Sequence, residues 1–142
     1  MLILKELQSL NIRAGAVLLD LDFAFQDGKT SPKWVIVLSD NLLGDNIIFT
    51  LTTSQVNTYS GSLRRHIFVK KTEEKCFEKD CIIEIERTFP MAGNIFLNKF
   101  RSKRIEHKGF ISESLLKHIL NEIAECDTVS EYIKISLKVY DY

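Results

Sequence analysis

The sequence predicts an α+β domain: a curled antiparallel sheet, arranged as a small barrel or sandwich, followed by helices. Short runs rich in Val, Ile, Leu, Phe and Thr, five or six of them, recur between turn signals from residue 16 onward. Strands so spaced, without helices between them, argue against a parallel sheet. From Ile111 the apolar period changes from that of a strand to that of a helix. A chain of 142 residues, 45% hydrophobic and 27% charged, suits one soluble domain with its own core.

The elements follow in order. Residues 4–10 (LKELQSL) read as one or two helical turns. Gly15 opens an apolar run, Ala16 to Phe25, in which Val17, Leu19, Leu21 and Phe23 alternate with Leu18, Asp20, Asp22 and Ala24. That period of two is the mark of a half-buried strand. Asp27-Gly28, with Lys29 to Pro32, is turn chemistry. Trp34 to Leu38 is a central strand, residues 41–46 a loop around Gly44-Asp45, and Ile47 to Thr52 the next strand. Residues 57–62 form a polar loop, His66 to Val69 a short strand, and residues 70–80 a connection of mixed charge. Cys81 to Ile85 is a strand with Ile83 and Ile85 on one face, Ile82 and Glu84 on the other. Ile95 to Phe100 fits strand and helix equally.

Ser112 is a helix N-cap, with Ile111 placed to staple onto Leu116. Leu115, Leu116, Ile119, Leu120 and Ile123 form its apolar stripe. Thr128 with Glu131 makes a capping box for a second helical segment, continued by Val129, Tyr132, Ile133, Leu137 and Tyr140.

Lys+Arg and Asp+Glu both number 19, so no global field draws the chain to nucleic acid and any such function rests on a local patch. No apolar run reaches membrane-spanning length, and MLILKELQSL lacks a basic n-region and cleavage site, so neither span nor signal peptide is expected. Cys76, Cys81 and Cys126 are odd in number and fit no zinc spacing. They read as reduced thiols of a cytoplasmic protein, with a redox role for Cys76 and Cys81 the weaker reading. His66, His107 and His118 form no metal set, and there is no Ser-His-Asp order, Gly-rich phosphate loop or dinucleotide fingerprint. Neither metal nor cofactor is expected.

Chemistry concentrates between Phe23 and Gln55. Lys33 stands at the mouth of one strand, and Thr52-Thr53-Ser54-Gln55 at the exit of another. A cation and hydroxyls on rigid strands suit a phosphate. On residue type alone Lys33 reads as a solvated lysine and both threonines as strand formers. Ser54 and Gln55 bind a base or end a strand. Basic residues cluster at Arg64-Arg65-His66 with Lys70-Lys71, and at Lys99, Arg101, Lys103, Arg104, His107 and Lys108. Each cluster is a phosphate track or a solvated face. Phe96, Phe100 and Phe110 stack bases or fill the core, and Glu84 and Glu86 are acids or bases or simply line a surface strand.

Several segments, taken in order, resemble one family. They are Arg13-Ala14-Gly15 with VLLDLDFAF, Asp27-Gly28-Lys29, Lys33 to Ser39, Phe49 to Gln55, His66 to Val69, Glu78 to Ile83, Arg87-Thr88 and Ile135-Ser136-Leu137. Together they resemble the MazF/PemK toxin endoribonucleases of type II toxin–antitoxin systems. The resemblance covers most of the chain apart from residues 1–12 and an insertion at 91–108. It implies a single domain over 1–142, an SH3-like curled antiparallel β-barrel with C-terminal helices. It implies metal-independent cleavage of single-stranded RNA, such as mRNA, by 2′-OH attack on the phosphate. Lys33 and Thr53 become the catalytic pair, with Lys29, Ser54, Gln55, Arg64, Arg65 and Arg87 binding substrate and no cofactor. The implied partners are RNA, a cognate antitoxin and a second copy of the chain in a homodimer, in the cytoplasm. Three positions depart from the pattern: Lys33 stands where Arg is usual, Trp34 where Pro is usual, and Ala16 where an acid is usual. Lys supplies charge without the bidentate fork of Arg. The alternatives are a catalytically inactive barrel of this kind that binds RNA or protein, and an unrelated interaction barrel with no groove joining Lys33 to Thr53.

Overall fold

In the computed structural model, residues 10, 12–25, 27–39, 46–59 and 64–138 are described. The helical turns expected at 4–10, most of the 41–46 loop, half of the 57–62 loop and Tyr140 lie outside them. Six strands form one sheet: β1 (Ala16–Ala24), β2 (Thr30–Val37), β3 (Asn46–Thr53), β4 (His66–Val69), β5 (Cys81–Ala92) and β6 (Ile105–Phe110). Three α-helices accompany them: α1 (Gly93–Arg101), α2 (Glu113–Glu125) and α3 (Glu131–Ser136). The order across the sheet is β4-β5-β3-β2-β1-β6, every pair antiparallel. The α+β class and the antiparallel order therefore stand. The ladder is open, with β4 and β6 at its two edges.

Both faces of the sheet are buried. Val17, Ile36, Ile48, Ile83 and Ile85 pack with Leu115, Ile119 and Ile123 of α2 and Ile133 of α3. Leu18, Val35, Phe49 and Leu51 pack on the opposite side with Phe96 and Leu97 of α1. Alternation puts successive side chains on opposite faces, so β1 buries both Val17 and Leu18 completely. The half-buried strand expected there is corrected for its first residues, where Leu18 packs with Phe96 and Leu97 of α1, whereas Leu19, Leu21 and Asp22 are half-buried and Ala24 is exposed.

β5 runs on from Ile85 to Ala92, and it bends on the way. Leu51 pairs with Glu84 but the next residue, Thr50, pairs with Thr88, leaving Ile85, Glu86 and Arg87 as a bulge. Thr88 donates its hydroxyl to the Ile85 carbonyl at 2.8 Å, and Thr50 donates to the Glu84 carbonyl at 3.1 Å, fixing the bend. Beyond it β4 no longer pairs with β5, so Pro90 sits where its missing N–H leaves no ladder bond unmade.

Residues 95–100 belong to α1, which settles them as helix. The expected insertion at 91–108 comprises the end of β5, α1 and part of β6, and β6 is built into the sheet through β1. Ser112 caps α2, accepting from Leu115 N at 3.2 Å. The second cap is corrected: Ser130, not Thr128, caps α3, accepting from Ile133 N at 3.3 Å. Thr128 instead lies 3.2 Å from the Cys126 thiol. α3 ends at Ser136, Val129 and Ile133 are buried, and Tyr132 is exposed. No helix among the described residues is long and apolar enough to cross a membrane.

Candidate functional site

Lys33 enters the sheet on the same face as Val35 and Val37, the face that α1 covers. Thr53 ends β3 on the same face as Phe49 and Leu51. The two meet in a cleft of about 440 Å³, lined along one side by Lys33, Trp34, Thr52, Thr53, Ser54 and Gln55. The catalytic pair and two of the substrate-binding residues expected from sequence are thus brought together. Thr52 is committed elsewhere: it is buried and donates its hydroxyl to the Trp34 carbonyl at 3.0 Å. Thr53 Oγ1 accepts from Gln55 N at 3.2 Å, which leaves its O–H free to donate to a ligand.

Glu84 is the residue whose importance the sequence hides. As one acid in the run IIEIE it reads equally as an acid or base and as a residue of a surface strand. Its side chain is 5% exposed, and Lys33 Nζ lies 3.6 Å from its Oε1. Arg87 Nε lies 3.2 Å from Oε2, across the bulge, and the Tyr59 hydroxyl donates to the same oxygen. A buried carboxylate needs such partners, because desolvation alone would force it neutral. Burial first, and then the Glu84 carboxylate beside it, hold the Tyr59 hydroxyl above its ordinary pKa. Glu86, its neighbour on the strand, is exposed. The one signal for Glu84 in the sequence was its parity with Ile82 rather than with Ile83.

A second cleft, of about 260 Å³, is lined by Tyr59, Arg64, Arg65, Glu84, Glu86 and Arg87. Three expected substrate-binding arginines gather here, one carboxylate away from Lys33. Arg65 is also tied to α2, at 2.5 Å from Glu122 and 3.6 Å from Glu125. Lys29 lines neither cleft: it lies in the exposed β1–β2 turn, where its N–H donates to Asp27 Oδ1 at 3.0 Å.

Three members of the second basic cluster, Lys99, Arg104 and Lys108, are held in ion pairs, and Arg101 and Lys103 are exposed. Lys99 Nζ sits 2.7 Å from Asp20 Oδ2, and Asp20 is almost fully buried. Arg104 grips Asp22 with both forks, at 2.6 and 2.7 Å, and this contact holds the Asp22 carboxyl below its usual range. Lys108 lies 3.8 Å from Glu106. Phe96 is core, and Phe100 and Phe110 pack against it.

The three cysteines are free thiols. Burial pushes Cys76 up to about 11 and Cys81 up to about 12. Both are therefore protonated, weak nucleophiles at neutral pH. Among the described residues no three His, Cys, Asp or Glu side chains gather as metal ligands.

Lys33 and Thr53 line the first cleft, and Glu84, which lines the second, lies 3.6 Å from Lys33 Nζ. Glu84 can take a proton, Lys33 can neutralise a phosphoryl oxygen and protonate a leaving group, and Thr53 can donate a hydrogen bond. No family model and no curated protein sequence matches this chain.

Proposed function

We propose that this chain is a toxin-type endoribonuclease resembling the MazF/PemK family, cleaving single-stranded RNA without a metal. The observation that carries the reading is the cleft joining Lys33 to Thr53, Ser54 and Gln55, with the Glu84 carboxylate buried against Lys33. In this reading Glu84 takes the proton of a ribose 2′-hydroxyl, whose oxygen attacks the adjacent phosphate. Lys33 and Thr53 hold the phosphoryl oxygens as charge builds there. The bond to the 5′-oxygen breaks, and that oxygen takes a proton from Lys33. The products are a 2′,3′-cyclic phosphate and a 5′-hydroxyl end. Arg64, Arg65 and Arg87 extend the phosphate contacts into the second cleft, and Tyr59 orients Glu84. The accompanying fold is an SH3-like curled sheet, and register shifts within β1, β5 and the β1–β6 ladder supply the bends that curling needs. The same reading places the protein in the cytoplasm, as a homodimer restrained by an antitoxin.

One observation favours a second reading, in which the groove binds RNA or protein and cuts nothing. Lys33 is already engaged by Glu84, and a lysine lacks the fork that would grip a phosphate at two points. A plain interaction barrel is disfavoured by the cleft between Lys33 and Thr53. The test incubates purified protein with single-stranded RNA in a metal chelator. Cleavage that disappears in folded Lys33→Ala and Thr53→Ala supports the nuclease. Binding without cleavage, with activity gained in Lys33→Arg, supports the second reading.

A further inference from the structure

We propose that the aromatic side of the first cleft is a nucleobase subsite, in which Trp34 stacks on one base and Gln55 reads its edge. The proposal rests on the RNA reading of the cleft and adds what that reading leaves open: where base choice is made. Besides its cation and hydroxyls the cleft lining includes Phe25, Pro32, Trp34 and Phe77. At about 440 Å³ it has room for a nucleotide. Apolar π-faces beside a phosphate-binding cation suit a nucleotide, whose base is flat and apolar on its faces and polar at its rim.

The indole is held ready. Phe77 packs against it with ring centroids 6.1 Å apart at 48°. The Lys108 ammonium lies over the ring at 5.7 Å from its centroid, and Lys108 does not line the cleft. Lys108 therefore braces the Trp34 ring from outside the cleft, while the indole and Phe77 both contribute to its wall. Thr52 accounts for the strand beneath, because its hydroxyl holds the Trp34 carbonyl. Gln55 is exposed at the exit of β3, and its backbone N–H is pinned to Thr53 Oγ1. Its side-chain amide offers one acceptor and two donors, the complement of a base edge. Since Lys33 and Thr53 line the same cleft, the base read here belongs to a nucleotide flanking the phosphate they hold.

Trp34 is the single tryptophan of the chain, so its fluorescence reports this subsite alone. The probes are the four homodinucleotides with 2′-O-methyl riboses, which cannot be cut, and the same backbone without bases. The expected result is saturable quenching that differs among the four bases and is absent with the base-free backbone. Gln55→Ala changes the ratio between the best and worst base by about tenfold, whereas Lys33→Ala weakens all four alike. Equal quenching by the base-free backbone, no quenching at roughly millimolar probe, or an unchanged base ranking in Gln55→Ala overturns the proposal. Cleavage of RNA by a protein whose Trp34 stays silent overturns this subsite and leaves the nuclease intact. Base-dependent quenching in a protein that cuts nothing keeps the subsite and removes the nuclease.

Discussion

Two lysines on the same face of the sheet each meet a buried carboxylate, and they are built differently. Lys99, at the end of α1, sits 2.7 Å from Asp20, whose side chain is 3% exposed. Lys33, on β2, sits 3.6 Å from Glu84, whose side chain is 5% exposed. Asp20 and Lys33 are direct partners in the β1–β2 ladder, so Lys33 stands between two acids. Lys99 closes tightly on the nearer one, and Lys33 reaches loosely for the other. Asp20 Oδ1 also accepts from Asp22 N at 3.1 Å, and Asp22 is gripped by Arg104. That end is a lock, which fastens α1 and β6 to β1. Glu84 is instead shared among Lys33, Arg87 and Tyr59, and it lines the second cleft while Lys33 lines the first. Several partners share the Glu84 carboxylate, and its contact with Lys33 is the longer of the two lysine contacts. In the proposed nuclease a substrate phosphate competes for Lys33 while Arg87 and Tyr59 still hold Glu84.

The comparison breaks first under paired substitutions. Asp20→Ala leaves the part-buried Lys99 ammonium and the Asp22 N–H without their partner and is expected to cost about 2 kcal/mol of stability, read as a lower urea midpoint at unchanged slope. Glu84→Gln keeps the Tyr59 contact and is expected to cost only about 1 kcal/mol. In the proposed nuclease it lowers cleavage by about 10²- to 10⁴-fold, the usual loss on removing a general base. Equal stability losses at the two sites would erase the distinction between lock and site. Thr53→Ala comes next, with cleavage down by about 10²-fold and a circular dichroism melt unchanged.

Titration separates the two ends further. The Asp22 carboxyl is lowered by its hydrogen bond from Arg104. Its contribution is in force above the unfolded value of about 4 and fades as pH falls through the folded value. The Tyr59 hydroxyl is raised, by burial and then by Glu84. Its contribution is in force below the unfolded value of about 10 and fades as pH rises through the folded value. Urea midpoints in Tyr59→Phe should therefore lose part of the wild-type alkaline decline and keep the acid one. The smallest effect belongs to Arg104→Ala. Arg104 and Asp22 are both largely exposed, so the loss should shrink further in high salt.

Local chemistry made part of this molecule legible. Apolar runs bounded by turn residues located β1 to β4, and Ser112 marked the start of α2. Where two signals competed locally, the choice went astray: Thr128 and Ser130 both offer a hydroxyl, and the chain turns into helix only after the second. Gly93 opens α1 with no side-chain cap ahead of it, so nothing local chose helix over strand for residues 95–100. The burial of Asp20 and Glu84 was illegible for a different reason. It depends on partners far along the chain: Lys99 is 79 residues from Asp20, and Tyr59 is 25 from Glu84. The same distance concealed the fate of the second basic cluster, which reads as a cationic patch until Asp20 and Asp22 fold against it. Lys33 and Thr53, by contrast, were singled out by the family resemblance, and their meeting follows from the pairing of adjacent antiparallel strands.

The most direct test of the account is the fate of a single-stranded RNA mixed with the purified protein in a metal chelator. Fragments ending in 2′,3′-cyclic phosphate and 5′-hydroxyl groups are expected, lost in Lys33→Ala and Glu84→Gln proteins that remain folded. Intact RNA in the presence of folded wild-type protein, or undiminished cleavage by either variant, would contradict it.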